Sequence, residues 1–112
     1  MITYRLIRKL RKHIKVADHA VDQYHARIRR DASVEDVRHK LTNAYLRGGS
    51  LSVSARAHMN LLFKYGDDAK YYRYGDLVVV VHEVGQRYEE CEKTILTCYR
   101  YKESKFDPAA VA

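Results

Sequence analysis

The stretch KYYRYGDLVVVVHEV, residues 70–84, decides the fold. Two runs rich in tyrosine and valine flank Gly75-Asp76, so Lys70 to Tyr74 and Leu77 to Val84 read as strands joined by a tight hairpin turn. Downstream, Thr94 to Tyr101 reads as a further strand. Strict alternation there puts Ile95, Thr97, Tyr99 and Tyr101 on one face, opposite Leu96, Cys98 and Arg100. The residues between, Gly85 to Glu92, form a charged connection, and 104–112, with the only proline, read as a disordered tail.

Upstream the period is helical. Val34, Val37, Leu41, Ala44 and Tyr45 make one apolar stripe, with Ser33 as N-cap, Asp36 as its partner and Gly48-Gly49 as the stop. Before it, His19 to Arg30 reads as a helix capped by Asp18. Ala20, Val21, Tyr24 and Ile28 lie on its inner face, and His19, Gln23, Arg27 and Arg30 lie on a neighbouring one. Residues 2–16 support a helix or an irregular arm through Lys12, followed by a short extended piece to Val16. Leu51 to Ser54 reads as a short strand and Ala55 to Phe63 as a third helix. Helices first and strands later predict a single α+β domain over residues 1–103. Two to three N-terminal helices would pack on a C-terminal antiparallel sheet of three to four strands.

The net charge of +7 is confined to one segment. Residues 1–30 hold nine Lys/Arg and two acids, while the other 82 hold twelve of each sign. A field concentrated in this way suits a polyanion. Arg5, Arg8, Lys9, Arg11, Lys12 and Lys15 form a basic arm, with Arg30 and Arg100 as further nucleic-acid contacts. A solvated face and a membrane-surface helix are the other readings of such a segment, the second weakened by the lack of Trp or Phe before residue 63. The longest apolar run, Leu77 to Val81, cannot span a bilayer, and a cytoplasmic location is expected. Ten tyrosines without tryptophan could stack on bases, although packing accounts for them as well. Six histidines without i,i+4 pairing and two cysteines at 91 and 98 point to no metal site and no other cofactor.

Val16-Ala17-Asp18-His19-Ala20, Arg27 in the same helix, Gly48-Gly49 closing the next, Leu77 to Val81 and the final Thr94-Ile95-Leu96-Thr97-Cys98-Tyr99-Arg100 together resemble a known family. They look like the small basic domains of the barnase, EndoU, colicin and RelE ribonuclease superfamily, over about residues 14–101. The closest likeness is to RelE-like members whose first helix opens with His-Ala. The resemblance implies metal-independent RNA cleavage through activation of a ribose 2′-hydroxyl. It would make His19 the acid/base group, Arg27 the phosphate clamp, and Thr97, Tyr99 and Arg100 the completing residues. Histidine titrates near neutrality and arginine grips phosphate bidentately, which suits those roles. Strand alternation sets Thr97 and Tyr99 opposite Arg100, so one shared surface requires a bulge or a strand end.

The expectation is a nucleic-acid-binding domain, RNA favoured, acting as a toxin-like endoribonuclease with an acidic antitoxin as partner. The alternative is a non-catalytic accessory protein of a phage or mobile element that binds nucleic acid or an acidic protein. An oligomer whose arm reaches a neighbouring subunit is a third possibility.

Overall fold

The computed structural model describes residues 4–51 and 69–101, without the side chains of Tyr4 and Ile7. The expected third helix at Ala55 to Phe63, the end of the expected strand at Leu51 to Ser54, and the tail lie outside those residues. The described elements are α1 (Tyr4–Arg11), β1 (Ile14–Val16), α2 (Asp18–Arg27), α3 (Val34–Arg47), β2 (Gly49–Ser50), β3 (Ala69–Tyr74), β4 (Leu77–His82) and β5 (Lys93–Arg100).

The strands form one sheet in the order β1-β5-β4-β3-β2. The α+β architecture is the one the periodicity predicts, with more strands than expected and one parallel pair. β1 lies parallel to β5, with Ile14 opposite Lys93 and Val16 opposite Ile95, and every other pairing is antiparallel. Parallel neighbours require a long crossover, which α2 and α3 begin and the β2–β4 strands complete. β1 is three residues long, and a segment that short carries too little alternation to announce its pairing.

A bulge sets the facing of β5. Val80 pairs with Thr97 and Val81 with Ile95, so Leu96 is an extra residue. The alternation expected for this strand therefore breaks. Ile95 joins Cys98 on the helix side, with Val79, Val81 and Tyr72. Leu96 joins Tyr99 on the opposite side, with Val78, Val80 and Tyr71. Ala20, Val21 and Tyr24 from α2, and Val37, Leu41, Ala44 and Tyr45 from α3, complete the helix-side core. Leu10 of α1 is only 2% exposed within it, so the basic segment is anchored rather than free.

The helix ends show where local signals decide. Ser33 Oγ accepts from the Asp36 amide at 3.1 Å, the expected cap of α3. For α2 the N-cap is Ala17 with no side-chain bond, and Asp18 is the first helical residue, where its carboxylate suits the positive end of the dipole. That helix stops at Arg27 instead of Arg30. Ile28 is its C-cap, and the amides of Ile28 and Arg29 both return to the Tyr24 carbonyl. Gly48 ends α3 at φ −75°, so a left-handed cap is not why glycine is needed there. A Cβ at Gly48 would press on the Ala44 carbonyl and stand 2.6 Å from the Arg73 carbonyl, whereas one at Gly49 would meet nothing.

The charged connection after β4 is tied to α3. Glu83, buried, accepts from the hydroxyls of Tyr45 and of Tyr72, the latter at 2.7 Å. Burial first, and then the Glu83 carboxylate, hold both phenols protonated far above the usual tyrosine range. The Arg87 guanidinium lies 4.3 Å from the Tyr72 ring centroid and donates to the Tyr45 and Gly48 carbonyls, while the Tyr88 hydroxyl donates to Leu46 O at 3.2 Å. These are carbonyls at the C-terminus of α3, where a cation is favoured. Lys93, 2% exposed, donates from Nζ to the carbonyls of Glu89 and Cys91 at 2.7 and 3.3 Å and so folds the same loop from below.

Gly48→Ala is expected to cost about 1–3 kcal/mol, the usual range for overpacking against backbone, and Gly49→Ala less than about 0.5 kcal/mol. Urea unfolding of the two variants checks the contrast.

Candidate nucleic-acid interface

Helical periodicity puts the outward cations of α1 together. Arg5, Arg8, Lys9 and Lys12 follow at steps of three, one and three, and border a groove of about 580 Å³. Leu6 and Leu10 point the other way, into the core. Arg11 does not share this position: it is half-buried, and its Nε is buried with no hydrogen-bond partner among the described residues.

The acids that partly offset this field come from the far end of the chain. Lys9 Nζ lies 2.9 Å from Glu90 and Lys15 Nζ 3.0 Å from Glu92. The hydrogen bond from Lys9 holds the Glu90 carboxyl below the usual range. Both pairs are solvent-exposed and individually weak. Their effect is on the field: the arm is less positive than the sequence totals suggest, and Lys15 stands beside an acid.

A second basic cluster sits where α2 ends. Arg27 Nη1 donates to the Cys98 carbonyl at 3.3 Å, and its guanidinium carbon lies 4.5 Å from the Tyr99 ring centroid. Arg100 donates from Nε to Arg27 O at 2.8 Å and from Nη2 to Ile28 O at 3.3 Å. Arg29, not Arg27, takes the local acid, through a 2.9 Å bond to Asp31. Arg30 is exposed beyond the helix, so it does not continue the face of His19. His25 Nε2 lies 2.8 Å from Ala32 O, fastening the turn after α2 instead of standing free on a solvated flank.

The residues singled out by resemblance are brought together only in part. Arg27 and Tyr99 touch. Thr97 is 1% exposed on the strand between them and Leu96, and its hydroxyl has no hydrogen-bond partner among the described residues. The bulge falls before Thr97, so it leaves Thr97 and Tyr99 opposite Arg100. His19 is exposed at the start of α2, eight residues from Arg27 and about 12 Å from it along the helix axis. Of the tyrosines that could stack on bases, Tyr71 and Tyr72 are buried, whereas Tyr74 and Tyr88 are exposed. Tyr74 ends β3 and Tyr88 lies in the loop after β4.

Among the described residues, no group of three metal-ligating side chains converges, and no helix is long and apolar enough to cross a membrane. No protein-family model, no curated protein and no solved structure matches the chain.

The two cysteines are free and differ in access. Burial pushes the Cys98 thiol up to about 12, with Arg27 pulling weakly the other way, while Cys91 is half-exposed in the loop. At pH 8 one thiol is expected to react promptly with an aromatic disulfide reagent and the second only after unfolding. Cys91→Ser should abolish the prompt phase.

Proposed function

We propose that this domain binds RNA through the outward face of α1, without a requirement for metal. The observation that carries the reading is the groove bordered by Arg5, Arg8, Lys9 and Lys12 on a helix whose Leu6 and Leu10 pack into the core. A membrane-surface helix needs that apolar side to enter lipid, and Leu10 is committed to the core. Long cations on a fixed helix suit a phosphate backbone, which they contact without reading sequence. An acidic protein would meet the same stripe, and competes with RNA in the test below.

Four cations contacting a single strand give a slope of about −3 for log affinity against log salt. Fluorescence anisotropy with a labelled single-stranded RNA between 50 and 300 mM salt measures it. The double variant Arg5→Glu/Lys12→Glu should weaken binding at least tenfold and flatten the slope. An unchanged affinity in that variant, or a slope near zero, removes α1 as the interface.

A metal-independent ribonuclease of the RelE type is the second reading. It is favoured by Arg27, a guanidinium held on an aromatic ring with N–H groups left over for a phosphate. The separation of His19 from Arg27 favours binding without turnover, because an acid/base group and a clamp must reach one phosphate. Total RNA incubated with the protein in chelator should remain full length. Cleavage that disappears in His19→Ala would establish the second reading instead.

A further inference from the structure

The end of β5 farthest from α1 borders a cleft of about 330 Å³. Seven residue steps from Lys93 to Arg100 set it about 23 Å along the strand from the end that meets the loop under α1. Tyr24 of α2 and its C-cap Ile28 line it together with Lys40 and Asn43 of α3. The hairpin residues Tyr74, Asp76 and Leu77, with Arg100 of β5, complete the lining. The volume falls at the lower end of small-ligand sites, about 300–1,000 Å³.

The chemistry of the lining is specific. Lys40 and Asn43 are three residues apart on one helix and project to the same side. Lys40 is exposed and forms no ion pair among the described residues. Arg100 is held by two carbonyls at the end of α2, so its other N–H groups are presented in a fixed direction. Tyr74 is 47% exposed, a flat ring at the strand end. Gly75, at φ +61°, makes the tight turn that puts Asp76 beside it. Two cations call for an anion. The carboxylate of Asp76 counts against a bare phosphate and suits a ligand that also carries hydroxyl or amino donors. Asn43 supplies a donor and an acceptor together, and Ile28, Leu77 and the Tyr74 ring supply apolar surface.

From this convergence we propose that the cleft binds one nucleotide unit of a single-stranded RNA. The phosphate lies between Lys40 and Arg100, the base lies against Tyr74, and Asn43 and Asp76 face its polar edge and the ribose hydroxyls. Unstacked bases are recognised by such a pairing of an aromatic face with edge hydrogen bonds. The assignment rests on the RNA reading for its source of ligand, but its residues are separate from those of α1.

The full-length chain, labelled with ¹⁵N, is titrated with each ribonucleoside 5′-monophosphate, with inorganic phosphate, and with a single-stranded RNA pentanucleotide. At least one mononucleotide is expected to shift the Asn43 side-chain amide and the backbone signals of Tyr74 to Leu77 saturably, and the pentanucleotide to do so at lower concentration. Tyr74→Ala and Lys40→Glu, both at exposed positions, should each weaken this binding at least fivefold while leaving the other signals in place. Arg5→Glu/Lys12→Glu should leave mononucleotide binding unchanged and weaken only the pentanucleotide. If that variant binds the pentanucleotide as wild type does, the α1 reading fails and the cleft stands. The cleft assignment is overturned if no mononucleotide shifts these signals, if inorganic phosphate shifts them equally, or if Tyr74→Ala binds as wild type does. A mononucleotide that binds as tightly as the pentanucleotide overturns the strand as its source.

Discussion

The buried carboxylate of Glu83 is the contact on which the arrangement of this domain depends. It lies just after the central strand β4, and two tyrosine hydroxyls, from α3 and from β3, converge on it. Three elements distant in sequence are thereby held at one point. Removing the carboxylate would leave the buried Tyr72 hydroxyl without its acceptor and Tyr45 with only the Arg87 carbonyl at 3.1 Å, a larger penalty than the hydrogen bonds themselves contribute. The following loop inherits its course from the same point. Arg87 turns back over the two rings to the end of α3, and Lys93 holds the return into β5.

That loop is what links the fold to its surface chemistry. Because it is folded tightly, Glu90 and Glu92 stand against Lys9 and Lys15, and the positive segment meets its counter-charges within the same molecule. In the outer row of α1, Arg5 and Lys12 form no ion pair among the described residues. The second basic cluster, at the far end of α2, is engaged mainly with backbone carbonyls and a tyrosine ring.

Much of the fold is legible in the sequence where a local rule has one physical solution. Ser33 caps α3, the Val34 to Tyr45 stripe is buried beyond its first residue, and Gly75-Asp76 turns the hairpin. The parallel pairing of β1 is not legible, because three residues carry too little pattern. Nor is the bulge at Leu96, since strict alternation fits Thr94 to Tyr101 equally well and only the register against Val80 and Val81 decides. For the candidate site, the cationic row of α1 could be read from helical spacing. The acids opposite it could not, being about 80 residues away. Glu83, Arg87 and Lys93 sit in or beside a stretch whose charge suggests solvent, and each finds its partners only after the chain has closed on itself.

The brevity of β1 has one more consequence. Beyond Val16 no strand among the described residues covers the outer side of β5, and an uncovered strand offers its amides and carbonyls to any other extended chain. Here the Arg27 guanidinium occupies the Cys98 carbonyl, and Arg100 is folded back onto the end of α2. Two fixed positive charges thus stand along a stretch of sheet edge where another extended chain could pair. The same arginines that a phosphate would seek stand where a further strand would have to pair, and charge at a sheet edge disfavours such pairing.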